Sequence, residues 1–189
     1  MALDPSVVVA AIRGIVSQSP GVRLYGVVDA ARCVDLAYEA KIRFGKEIRS
    51  LFLPEVQTQL WDVSPYMVQI DPDGDYLRSW AQRWGTSAGV LLTSEADEDA
   101  LHAHLRKIFV VEDEEKQEYF FRFYDPRVLR TFLPTCSAQQ LEELFGPIAQ
   151  FAVESQPGNA LSRFTRTKER LVHLTVRFAA AEQGSSASC

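Results

Sequence analysis

The sequence predicts a mixed α/β fold: a central mixed β-sheet flanked by helices, with a small helical lobe at the C-terminal end. Three observations carry this. Short β-rich runs alternate with amphipathic helical stretches through the first hundred residues. Helix starts and stops are regularly marked, by Asp-Pro and Ser-x-x-polar at the beginnings and by Gly or Pro at the ends. Hydrophobic residues make up 47% of 189, enough for a substantial core.

Taken in order, Asp4-Pro5 opens a helix whose buried stripe is Val8, Ile12, Ile15 and Val16, ended by Ser19-Pro20-Gly21. Residues 22–29 (VRLYGVVD) read as the first strand, with Gly26 letting another stretch of backbone come close. Cys33, Leu36, Ala37, Ala40, Phe44, Ile48 and Leu51 then recur at helical spacing. Residues 64–71 (SPYMVQID) form a second strand, broken by the turn Asp71-Pro-Asp-Gly74. Tyr76, Leu77, Trp80, Ala81 and Trp84 share one helical face, with Gly85 as C-cap. Residues 88–93 (AGVLLT) are nearly all apolar, which predicts a central strand covered on both faces.

Ser94-Glu-Ala-Asp97 reads as a capping box for a helix burying Leu101, His104, Leu105 and Ile108. Residues 109–112 and 119–124 are expected to form a hairpin around a charged tip, Asp113 to Gln117. Tyr119 to Tyr124 reads as a buried aromatic strand carrying Arg122. Asp125-Pro126 then caps a short helix that Pro134 stops. Ser137-Ala-Gln-Gln140 is another capping box, Gly146-Pro147 a terminator, and residues 150–154 a further strand. Gln156-Pro-Gly-Asn159 marks the clearest boundary. Residues 1–155 are thus read as the α/β body, 156–182 as a basic helical segment and 183–189 as a frayed tail.

The net charge of −5 argues against general nucleic-acid binding. Its distribution is uneven. From residue 159 onward Arg163, Arg166, Lys168, Arg170 and Arg177 face Glu169 and Glu182, a net of +3 that leaves −8 on the body. Cys33, Cys136 and Cys189 are scattered, which suits a reducing cytosol better than a disulfide or zinc framework. No basic n-region precedes the apolar run near the start, and no run reaches the roughly 20 apolar residues of a spanning helix. A soluble, cytoplasmic protein is expected, with no membrane or nucleic-acid partner.

Catalytic, metal and cofactor residues are assigned as none. His102 and His104 are two apart on a helix and cannot share a metal; His104 reads as a buried histidine with one hydrogen bond. Asp29, at a strand end, is read as the cap of the next helix rather than a catalytic carboxylate. Gly85-Thr-Ser-Ala-Gly89 lacks the lysine and spacing of a phosphate loop and is read as a turn. Trp80 and Trp84 are assigned to core packing, and the acidic run 112–118 to a solvated tip. Arg122 within aromatic residues calls for a carboxylate, Asp125 or Asp29. Arg127, at the exposed helix start, is left open between an ion pair and a partner contact.

If residues 160–181 form a helix, Arg163, Arg166, Arg170, His173 and Arg177 recur at 3, 4, 3, 4 spacing beside Leu161, Phe164, Leu171, Leu174 and Phe178. Such a basic amphipathic face packs on the acidic body, meets an acidic partner or lies on a membrane, and the −8 charge of the body favours the first. The alternation Val172, Leu174, Val176, Phe178 also permits a strand.

Several segments, in order, resemble the type VI secretion adaptor family, the Tap or Tec chaperones. They are Leu24-Tyr-Gly-Val-Val-Asp-Ala30, Ser50-Leu-Phe52, Ser64-Pro-Tyr-Met-Val68, Trp84-Gly85 with Ala88-Gly-Val-Leu-Leu-Thr-Ser94, His104-Leu-Arg-Lys107 and Arg122-Phe-Tyr-Asp-Pro-Arg-Val-Leu129. The resemblance covers residues 24–145; Ala30 stands where family members often have Gly. It marks Asp29, Trp84, His104, Arg122, Asp125 and Pro126 as structural signature positions. It implies a non-enzymatic cytoplasmic adaptor that binds an effector toxin encoded nearby and helps mount it on the VgrG spike or its PAAR tip. Partner contacts are expected at Arg127, Arg163, Phe164, Arg166, Arg170, Leu171, Leu174 and Arg177, in a groove between body and helical end. The competing readings are a small enzyme of unrecognised type using Asp29, His104 and Asp125, and a ligand-sensing module built around the tryptophans.

Overall fold

The computed structural model describes residues 3–53, 59–112, 115–168 and 170–178. The chain runs α1 (Pro5–Ser17), β1 (Arg23–Asp29), α2 (Val34–Phe44), β2 (Arg49–Ser50), β3 (Pro65–Ile70), α3 (Asp75–Gln82) and β4 (Gly89–Ser94). It continues with α4 (Glu98–Phe109), β5 (Val110–Glu112), β6 (Glu118–Phe120), α5 (Pro126–Phe132), α6 (Ala138–Phe145), β7 (Ile148–Glu154), β8 (Ala160–Arg166) and β9 (Leu171–Arg177). The fold is α+β, with helices around a seven-stranded sheet of order β2-β3-β1-β4-β7-β8-β9; β5 and β6 form a separate hairpin.

The pairings within the large sheet are all antiparallel, where a mixed sheet was expected. The reason lies in the connections. The α3 crossover does bring β3 and β4 round in the same direction, but β1 is inserted between them and runs opposite to both.

Alternate residues of the central strands feed two cores. Leu24, Val28 and Leu91 pack with α1, α2 and α3, while Tyr25, Val27, Val90 and Leu92 pack with α4, α5 and α6. As its composition predicts, β4 is buried along its whole length, between β1 and β7. Asp4 caps α1, accepting from the Ser6 amide at 2.9 Å, and Ser137 and Gln140 form the full capping box of α6.

Five local expectations are corrected. The segment expected as a basic helix is the β8–β9 hairpin. Thr165, Val172, Thr175 and Val176 are β-branched and favour a pleated surface, and the turn at 155–159 returns the chain antiparallel to β7. The alternation in 172–178 was the informative signal. Ser94 ends β4 rather than starting a helix; Asp97 is the N-cap of α4, accepting from Ala100 at 2.8 Å. The apolar stripe of α2 stops at Phe44, because Gly45 (φ +55°) turns the chain and Leu51 reaches the opposite core. The cap of α3 is Arg83, with Gly85 (φ +93°) in the loop beyond. The aromatic strand is only β6, and Tyr119 and Phe120 are exposed, by 52% and 67%. The tail 183–189 and the tip residues 113–114 lie outside the described residues.

Gly26 is where the sheet admits Trp80: a Cβ there would lie 2.5 Å from the indole and 2.9 Å from Ile70 Cδ1. Gly26→Ala is expected to cost about 1–3 kcal/mol by overpacking. Gly14→Ala, in α1 with no atom within 4 Å, should gain about 0.5–1 kcal/mol. Urea unfolding of both variants checks the pair of signs.

Candidate functional site

Among the described residues the buried charged side chains, Asp29, Asp125 and Glu154, gather where β1 ends, β4 begins and β7 ends. Register places these together: Val28 pairs with Gly89, Leu91 with Ala152, and the Asp29 amide donates to the Ala88 carbonyl at 2.8 Å. The corner between β6 and α5 closes over this edge. Its backbone is a turn, in which the Asp125 amide donates to Arg122 O at 3.0 Å. Asp125 then caps α5, and Pro126 occupies the first helical position, where a missing N–H costs nothing.

Asp29 is wholly buried and its Oδ2 accepts from Arg122 Nη2 at 2.7 Å. A carboxylate removed from water needs such a partner. Asp29 is thus an ion-pair residue rather than the side-chain cap expected of it. The cap position of α2 is Cys33, and only the Asp29 carbonyl takes part there, accepting from Arg32 and Cys33 amides. Asp29 Oδ1 has no hydrogen-bond partner. Asp125, also buried, accepts from the Arg127 amide at 3.0 Å, from Nε at 3.0 Å and from Nη2 at 2.6 Å. Burial pushes the Asp125 carboxyl up, but the hydrogen bonds and charge of Arg127 outweigh it and hold the group below its ordinary range.

Glu154, which sequence reasoning gave no role, completes the corner. Its carboxylate accepts from the amides of Gly85 (2.6 Å) and Ser87 (2.9 Å) and from Ser87 Oγ (3.1 Å), while its carbonyl accepts from Arg130. The glycine-flanked loop therefore is a turn, and its inward amides grip the chain's own carboxylate. The positive φ of Ser87 (60°) lets both amides converge. A buried acid facing a glycine-rich loop was the signal available in the sequence, at a separation of 67–69 residues.

The other assigned residues lie elsewhere. His104 packs against Gly146, where a Cβ would lie 2.3 Å from its ring, and hydrogen-bonds to Leu144 O at 3.1 Å. Burial pulls its pKa down. That is the opposite end of the sheet, where Ser94 meets Ile148, on the order of 20 Å along the strands from Asp29. Asp29 and Asp125 come together, then, but His104 does not join them. His102 points a different way, to Ser50 O at 2.8 Å. Trp80 is buried and Trp84 packs edge-on against Phe178, both on the α1–α3 side. Cys33 is buried, and its thiol is pushed up to about 11 by burial and by its hydrogen bond to Asp35. Among the described residues no group of three or more His, Cys, Asp or Glu could hold a metal ion.

Of the expected partner residues, Arg127 is half-exposed. Phe164 is buried and stacks on His173, with centroids 4.3 Å apart. Arg163 donates to Gln150 and Gln18, and Leu171 is half-buried. Arg170, Leu174 and Arg177 are exposed on or beside β9, the long edge strand. Pleating puts Arg163 and Arg166 on opposite faces, so the single basic stripe of a helix does not form.

Fold and site together define a two-core α+β module, braced at one sheet end by carboxylates whose partners are the chain's own arginines and amides. A family model, the domain of unknown function DUF4123, matches residues 24–143. The chain belongs to this family, the adaptors of type VI secretion effectors. No curated protein and no solved structure matches it. No helix among the described residues is long and apolar enough to cross a membrane.

The depressed Asp125 predicts an acid limb in stability. A folded-state pKa below the unfolded value of about 3.9 contributes stability above that pH, which is lost as pH falls through the folded pKa. Asp125→Asn should flatten the loss of unfolding free energy as the pH falls below about 4, measured by urea titration.

Proposed function

We propose that this protein is a non-enzymatic cytoplasmic adaptor that binds a type VI secretion effector encoded nearby and helps load it onto the VgrG spike or its PAAR tip. The observation that carries the reading is membership of the DUF4123 family over residues 24–143, a span that contains Asp29, Arg122, Asp125 and Arg127 of the braced corner. The geometry of that corner supports it. The carboxylates an enzyme would use there are engaged: Asp125 by Arg127, Asp29 by Arg122, Glu154 by the 85–87 loop. The histidine of the competing reading hydrogen-bonds at the other end of the sheet.

The expected contact residues are retained in the form their surroundings allow. Arg127, Arg170, Leu174 and Arg177 are the exposed set, and Arg166 is half-exposed. In this reading their charge steers an acidic partner toward the C-terminal hairpin, which affects association rate more than dissociation.

Co-expression of the tagged chain with the products of neighbouring genes, followed by light scattering, should give a stoichiometric complex with an effector. A monomer that retains none of them overturns the adaptor reading. Arg170→Glu combined with Arg177→Glu should slow association by roughly tenfold at low salt, with an unchanged Tm; unchanged kinetics would remove the hairpin from the contact surface.

A further inference from the structure

The aromatic segment expected to be buried is in part the most exposed apolar surface on the α4 side of the sheet. Phe120 is exposed by 67%, yet its ring stacks on the buried Phe109, with centroids 4.9 Å apart and planes at 15°. Phe52 tilts against both rings, at 5.7 Å and 6.1 Å. Three aromatic rings thus form a platform held in place from beneath. Leu53 beside it is exposed by 57%. A large apolar patch with a fixed shape marks an interaction site.

The platform is the floor of a trough of about 750 Å³ between α4, the residues after β2 and the β5–β6 hairpin. The wall contributed by α4 is Asp99, His102, Ala103, Arg106 and Lys107, continued by Val110. That spacing is one face of a helix, opposite the buried Leu101, Leu105 and Ile108. The trough therefore follows α4 over its length, about 16 Å at 1.5 Å per residue. Ala103, small and exposed, stands midway along it. A groove of this length beside a helix with a small central residue accepts three turns of another helix at close approach.

Charge selects which helix. Asp99 is bound by Arg49 at 2.6 Å, whereas Arg106 and Lys107 have no carboxylate partner among the described residues. We infer that the trough between α4 and the β5–β6 hairpin seats the apolar face of an acidic amphipathic helix belonging to the protein's partner. This rests on the adaptor reading for the partner's identity, and it names the chemistry by which that partner is held. Two other occupants fit this chemistry less well. Residues 179–189 (AAAEQGSSASC) contain no large apolar side chain. A second copy offers the exposed stripe Val34, Tyr38 and Ile42 of α2, but the acids beside it are already paired, Asp35 with Arg83 and Glu39 with Arg43.

The test uses the full chain and a fluorescein-labelled 18-residue amphipathic helix, with Leu and Phe on one face and Glu on its flanks. A second peptide carries Lys in place of every Glu. Anisotropy should show saturable binding of the acidic peptide, with the basic one weaker by roughly tenfold or more. Ala103→Trp, which fills the trough from an exposed position, and Phe120→Glu should each weaken binding by roughly tenfold or more. The Tm of Ala103→Trp should match the parent protein, so that variant decides the matter if Phe120→Glu does not fold.

Binding that ignores Ala103→Trp, equal binding of the two peptides, or no saturation would each overturn the assignment. Self-association abolished by Ala103→Trp would do so as well, since it would identify a second copy as the occupant. The same variant in the co-expression experiment separates the two readings. Loss of the effector from the variant alone supports both. Full retention of the effector removes the trough and leaves the adaptor. Peptide binding in a protein that captures no neighbour removes the adaptor and leaves the trough.

Discussion

A carboxylate with no exposed surface sits at the end of β1, an interior strand of the sheet, and the arginine that neutralises it comes from 93 residues further along the chain. This Asp29–Arg122 pair is the constraint on which the rest of the structure depends. An isolated charge at that depth would cost several kcal/mol, and Arg122 offsets part of that cost when β1 settles into the sheet. Arg122 cannot reach it unless the chain turns sharply after β6. Asp125 and Pro126 make that turn by capping the helix that leaves it, and Arg127 neutralises the acid that does the capping. Glu154 then ties the third strand end to the 85–87 loop, and Arg130 of α5 reaches back to its carbonyl. Acids and arginines in one small volume thus hold three strands, a loop and a helix in register.

Such bracing separates the parts of the molecule by role. The corner is charged, and each of its carboxylates is held by a partner within the chain, so it fixes geometry. The surfaces proposed for recognition lie outside it: the edge strand β9 with its flanking arginines, and the aromatic trough along α4. Exposed charge speeds encounters, while a desolvated apolar anchor slows their reversal. An adaptor of the proposed kind has use for both.

Much of this was legible in the sequence. The Asp-Pro caps, the Ser137 box, the largely apolar and fully buried β4 and the demand of Arg122 for a carboxylate follow from local chemistry, and each is seen. What was misread depended on distant contacts. Arginines at 3, 4 spacing from 163 to 177 mimic a helical stripe, but β7 offered an edge and the β-branched residues between them took it. Glu154 gave no local signal because its partners lie some 67 residues earlier. The run from Tyr119 read as buried on composition alone. Only the arrangement of α4 and the residues after β2 shows that Phe120 is supported from below and open above.

The most direct measurement is a double-mutant cycle between Asp29 and Arg122, using Asp29→Asn and Arg122→Gln with unfolding free energies from urea titration. The account predicts a coupling of about 1–2 kcal/mol, the lower part of the range for buried pairs because the guanidinium is half-exposed, with partner capture unchanged in Arg122→Gln. Additivity within about 0.5 kcal/mol would show that the two residues do not depend on one another. The corner would then have to be explained as something other than the brace of the fold.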